Sequence, residues 1–166
     1  MSLTVARSVL RILIIGNWVL GAAILGLLMV SNQQLIMAAF KLSPSPETDR
    51  LILGLRAVAV LGLAGIPLHY VVLKRLLAIV QTVREGEAFA AANAVRLQAV
   101  AWALLGIQIL SIVIGGIAKA VSSPAHPLHL DAGFSIGGWL AVLLTFLLAR
   151  VFSEGAHMRE DLEGTV

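Results

Sequence analysis

Cysteine is absent from this 166-residue chain, which excludes disulfides, thiolate metal sites and a cysteine nucleophile together. Charge is scarce as well. Asp, Glu, Lys and Arg make up 13% of the residues, about half the share usual in a soluble domain. The excess of 12 basic over 9 acidic side chains is small enough for membrane topology to explain. No basic patch interleaved with aromatics points to direct nucleic-acid binding. Neither H-E-x-x-H nor a Walker loop occurs, so the chain is read as a non-enzyme without cofactors.

What the chain has in abundance is apolar length. With 59% hydrophobic residues and a mean hydropathy of +0.96, it reads as an all-α integral membrane protein, a four-transmembrane-helix bundle in a single domain over 1–166. The expected spans are about 12–30, 50–73, 98–121 and 134–151, each near the roughly 20 residues that a bilayer core requires. The first apolar run exceeds the roughly 7 to 15 residues of a signal-peptide core, so it reads as an uncleaved span. Pro44 and Pro46 mark a loop after it, with helix allowed as far as Phe40. A polar connector, 74–97, separates the second and third spans, and a charged tail, 152–166, closes the chain.

Basic residues set the expected orientation. Arg7 and Arg11, then Lys74, Arg75, Arg84 and Arg96, then Arg150 and Arg159 fall on one side; Lys41, Arg50 and Lys119 fall on the other. The positive-inside rule puts both termini and the connector in the cytoplasm, and the protein in the cytoplasmic (inner) membrane as a multi-pass protein. Arg56 lies within the second span, where snorkelling to the outer boundary suits its long stem.

Polar groups within a membrane are expensive, and so point to function or to packing. Asn17 lies roughly 8 Å from the inner boundary of its span, and His69, Trp102 and Thr145 are about as deep in theirs. A ligand-binding reading joins Asn17, His69, Gln98 and Trp102 in a polar pocket in the inner third of the bundle. The packing reading has Asn17 and His69 bonding to carbonyls across helices, with Trp18, Tyr70 and Trp102 in an interfacial belt. Gln108, Ser111, Gly115, Lys119 and Ser122 form a stripe of helical spacing suited to close helix contact, with Gln108 joining helices near mid-membrane.

Two motifs invite chemistry. His126, His129 and Asp131 are ligand types for zinc, but their proline-rich segment reads as a solvated loop, and no metal is assigned. Gly133 to Gly137, GFSIG, matches G-x-S-x-G, a pattern that requires a strand before its turn. A membrane helix follows here, so Ser135 reads as a helix cap.

In the connector, Leu76, Leu77, Val80 and Val83 follow helical spacing, which extends the second helix beyond the membrane until Gly86. Asn93 is the expected N-cap of the third helix. The connector pieces REGEAF and NAVRLQAVAWALL, with ARVFSEGAHMREDLEGTV at the end, resemble the bacterial membrane proteins catalogued as domain of unknown function 2975, and the similarity is expected over essentially the whole chain. Where the family commonly has an acidic residue, proline and phenylalanine, this chain has Glu87, Ala88 and Phe89. The resemblance implies a companion of small helix-turn-helix regulators and supplies no catalytic or ligand residues.

Two functions follow as expectations. One is a membrane partner or sensor that binds a helix-turn-helix transcription regulator through Arg84, Glu85, Glu87, Phe89, Asn93, Glu154, Arg159, Glu160 and Asp161. The other is a lipid or small-molecule sensor or carrier using the inner polar pocket. Besides the lipid bilayer, a homo-oligomer remains an open partner. Protease added to sealed, right-side-out cells is expected to leave the 74–97 region intact; cleavage there would overturn the orientation.

Overall fold

The computed structural model describes residues 3–30, 32–40, 43–122 and 132–163. They form five helices and, among the described residues, no strand: α1 (Leu3–Val30), α2 (Gln33–Phe40), α3 (Pro46–Arg84), α4 (Ala91–Val121) and α5 (Ile136–Glu163). Four of these, all but α2, are long and apolar enough to cross a membrane. The protein is a four-helix integral membrane bundle.

Helix boundaries follow local chemistry. Helix is not continuous from α1 to Phe40; α2 is a separate short helix, whose first turn bonds to the Asn32 carbonyl from the N–H groups of Leu35 and Ile36. Ser45 then caps α3, its hydroxyl accepting from the Thr48 N–H at 3.2 Å, with Pro46 in the first turn, where a missing N–H does no harm. Pro67 sits inside α3 without ending it, as membrane helices permit. At 39 residues, α3 is about 58 Å long and outruns the roughly 30 Å hydrocarbon layer. The 74–97 connector is accordingly helical at both ends, with only residues 85–90 left as a turn.

Extensive contacts join α1 to α3, α3 to α4 and α4 to α5. The two middle helices are therefore the most buried, and α1 and α5 lie outside them. Among the described residues, half of the twelve buried apolar side chains are alanines, at positions 94, 101, 103, 118, 149 and 156. Small residues let backbones approach, which matters where no water is released by apolar contact. Larger side chains such as Ile15, Leu27 and Leu143 point outward.

Glycines mark the tightest places. A Cβ on Gly54 of α3 would stand 2.6 Å from the Val121 side chain of α4, and one on Gly21 of α1 would stand 3.3 Å from Ile66 of α3. Of the expected stripe on α4, Gln108, Ser111 and Gly115 face neighbouring backbone, while Lys119 is exposed. Gly115 faces the Ala132 carbonyl, and the Ser111 hydroxyl accepts from the Gly133 N–H at 3.1 Å. Gln108 abuts Gly138 of α5, but its amide nitrogen is buried without a hydrogen-bond partner. It joins the helices by contact. Ser135 accepts from the Gly138 N–H at 3.2 Å, as a helix cap does.

Arg7 and Glu85 line one hollow, and Phe89 lies against Gly155. The start of α1, the α3–α4 turn and the end of α5 thus share one end of the bundle, the turn end. A Gly115→Ala substitution would place its Cβ 2.5 Å from the Ala132 oxygen and is expected to destabilise the fold by about 1–3 kcal/mol. Gly116→Ala, which meets nothing within 4 Å, is the control. Thermal unfolding in detergent should separate the two; equal midpoints would refute this packing.

Candidate functional site

The turn end is built on a short stop signal. Glu85 closes α3, and Gly86 adopts φ +86°, a left-handed conformation suited to glycine. The Gly86 N–H then reaches the Val83 carbonyl at 3.2 Å, and the Glu87 N–H the Thr82 carbonyl at 3.0 Å. These two bonds form a Schellman motif that satisfies the last carbonyls of α3. The turn leaves Glu85, Glu87 and Phe89 exposed.

Asn93 holds that turn against both helices. It was expected to cap α4, but Ala90 occupies the cap and makes no side-chain bond. Asn93 instead lies inside the first turn of α4, fully buried. Its amide nitrogen donates to the Ala88 carbonyl at 3.0 Å, and its oxygen accepts from the Arg96 guanidinium at 2.9 Å. Thr82 Oγ1 lies 2.9 Å from both the Asn93 oxygen and the Ile79 carbonyl, with one hydrogen to share between them. Arg96 also donates to the Ala78 carbonyl at 3.2 Å. Asn93 therefore ties α3, the turn and α4 together and is removed from the candidate contact surface by its burial. Thr82 and Arg96 were not among the candidate residues; nothing in their spacing distinguishes an inward-facing side chain from a solvated one.

The tail closes over this turn. Phe89 and Phe152 pack with ring centroids 5.3 Å apart, and a Cβ on Gly155 would approach the Phe89 ring to 3.0 Å. Ala156 is buried at the same place in the sequence. One turn further back, Arg150 and Glu154 form an exposed ion pair at 3.1 Å. Such a pair contributes little stability. The connector and tail candidates are thus brought to one end: Arg84, Glu85, Glu87, Phe89, Glu154 and Arg159 are all exposed there. Glu160 and Asp161 fall in the last turns of α5, and their side chains lie outside the described part, as do His126, His129 and Asp131 altogether.

The expected inner pocket divides in two. Asn17 and His69 line an open groove of about 490 Å³ between α1, α3 and α4, walled mostly by aliphatic side chains including Leu13, Leu20, Leu73 and Ile107. Gln98 lines a different hollow of about 390 Å³ between α4 and α5, beside Phe146 and Glu154. Trp102 is exposed and meets Phe146 edge-on at 5.2 Å. Equal depth did not mean a shared face. Both polar groups of the first groove are anchored: Asn17 donates to the Ile66 carbonyl at 3.1 Å, and His69 Nδ1 lies 2.8 Å from the Gly65 carbonyl. A carbonyl can only accept, so Nδ1 carries the proton and Nε2 is left as an acceptor when the ring is neutral. Thr145 bonds within α5, to Ala141. Trp18 meets Tyr70 edge-on at 5.6 Å, and Lys74 lies over the Tyr70 ring, an arrangement suited to an interfacial belt.

Residues 36–166 match the family described as "Protein of unknown function (DUF2975)". The match runs from α2 to the end and leaves α1 outside. No curated protein and no solved structure matches the chain.

Replacing Asn93 by Ala would strand the Ala88 carbonyl and part of the Arg96 guanidinium, and is expected to destabilise the protein by roughly 2–4 kcal/mol. Thermal unfolding of the detergent-solubilised chain measures it. An unchanged midpoint would show that the network is dispensable.

Proposed function

We propose, from the premise that the chain belongs to the DUF2975 family, that it is a non-enzymatic protein of the cytoplasmic membrane that docks a protein partner on its turn end. The observation that carries this reading is the seating of Phe89 on Phe152 and Gly155. It joins two pieces distant in sequence into one surface, backed by the buried Asn93 network rather than by a loose loop. The concentration of basic residues at this end favours the cytoplasm. There Arg84, Glu85, Glu87, Glu154 and Arg159 supply charges of both signs around an exposed aromatic ring, a composition suited to protein contact.

The partner is a helix-turn-helix transcription regulator, as the family resemblance implies. A regulator held at the membrane is withdrawn from DNA by mass action, and a change in the bundle that weakens docking returns it. A second reading has its own observation. The aliphatic groove beside Asn17 and His69 suits a lipid or lipid-like small molecule, whose presence would alter the helices that carry the turn.

In a pull-down with a purified helix-turn-helix regulator of the same cell, the full chain in detergent is expected to retain the regulator. A Phe89→Ala, Arg159→Ala double variant should weaken retention by about tenfold or more, as removal of an aromatic and an arginine anchor does. Equal retention by both proteins would remove the docking surface.

A further inference from the structure

Two side chains line the groove between α1, α3 and α4 with hydrogen-bonding capacity left over. Asn17 of α1 gives one amide N–H to the Ile66 carbonyl, and His69 of α3 gives its Nδ1–H to the Gly65 carbonyl. Among the described residues, His69 Nε2, Asn17 Oδ1 and the second Asn17 N–H meet no partner. The two anchoring carbonyls belong to consecutive residues of α3, so the side chains reach the groove at one level, one from each helix. His69 Nε2 lies on the edge of its ring turned away from the Gly65 carbonyl, and the His69 side chain is exposed.

Depth restricts what can meet these groups. Lys74, at the membrane boundary over the Tyr70 ring, is five residues beyond His69, roughly 8 Å of helix. The rest of the wall is aliphatic, with Leu13, Leu20, Leu104 and Ile107 among it. A charged headgroup drawn that far into hydrocarbon is costly, so the polar part of an occupant is neutral. Nε2 of the neutral imidazole can only accept, so that polar part must donate. An ester, ketone or ether oxygen leaves Nε2 unmet. A hydroxyl serves both helices with one atom: its hydrogen goes to Nε2, and its oxygen accepts from the second Asn17 N–H.

We propose that the groove binds a long-chain aliphatic alcohol of the membrane, its hydroxyl bridging His69 Nε2 and the Asn17 amide and its tail running towards the bilayer centre past Leu20, Leu104 and Ile107. This rests on the second reading given above and adds the chemistry of the headgroup. Helix α1 is held chiefly by α3, and the hydroxyl adds a bridge between them. Occupancy therefore tightens the α1–α3 seam, and α3 carries the turn at its end.

Nuclear magnetic resonance of the full chain in nanodiscs of dioleoyl phosphatidylcholine, a lipid without a hydrogen-bond donor, tests the proposal with dodecanol and dodecyl methyl ether. Both probes are titrated as mole fractions of the bilayer, which removes differences in partitioning. The methyl signals of Leu20 and Ile107 report entry into the groove, and the nitrogen signal of His69 Nε2 reports the hydrogen bond. Both probes are expected to move the methyl signals, dodecanol at a mole fraction at least about tenfold lower, since the ether lacks the donor. Only dodecanol is expected to move the Nε2 signal. Gly16→Leu, at a groove position where added carbon meets nothing within 4 Å, should abolish both responses by filling the groove without disturbing the fold. Persistence of the Nε2 response in that variant would overturn the site. Methyl signals that respond equally to both probes, with Nε2 unmoved, would overturn the hydroxyl bridge and leave the lipid-like reading standing. If neither probe moves the methyl signals, both readings fall.

Discussion

Apolar contact between membrane helices releases no water, so something other than the hydrophobic effect must fix their pairing. Here the α3–α4 hairpin is fixed by one buried amide. Asn93 serves the turn through Ala88 and the helices through Thr82 and Arg96, and an unpaired group so fully buried in the protein would be costly. The rest of the bundle is arranged on this hairpin. Helix α1 leans on α3 through Gly21, and α5 leans on α4 through Gln108 against Gly138.

The same hairpin makes the turn end coherent. Without Asn93 the six-residue turn would keep its Schellman bonds but lose the side-chain tie from Ala88 to α4 that sets where Phe89 meets the tail. With the network in place, Phe89 has a fixed position, and Gly155 provides the clearance that a side chain there would remove. The polar residues around it are then held at set positions on rigid helices. That is the condition under which a few exposed side chains can discriminate between partners.

Much of this was legible in the sequence because the strongest signals are physical ones. Four apolar lengths, the stop at Gly86, the extension of the second helix past the membrane and the cap at Ser135 all follow from length, backbone conformation or local hydrogen bonding. The stripe from Gln108 through Gly115 declared its packing face by its small residues. Depth was equally legible, but angular position around each helix was not. Asn17 and His69 share a groove while Gln98 and Trp102 lie on the α4–α5 side, and level alone carries no information about facing. Asn93 failed for a related reason. An asparagine near a helix start is equally suited to a cap or to a buried bond with a neighbouring helix, and only the approach of α3 decides between them. Gln33 shows the same limit, since its bond to Asp49 at 2.7 Å links α2 to α3 across a loop.

The pairing order has a consequence for how the molecule is made. Helix α1 reaches the lipid before α3, yet the surface it settles on includes Ile66 and Tyr70, in the middle of that later helix. During synthesis its asparagine therefore has no protein carbonyl to meet until that later stretch has emerged and been inserted. The growing chain passes through an interval in which a solitary polar amide is held in oil, and α3 ends that interval on arrival. Biogenesis of the bundle thus has a natural order, with the N-terminal rod parked and the second one closing the first seam.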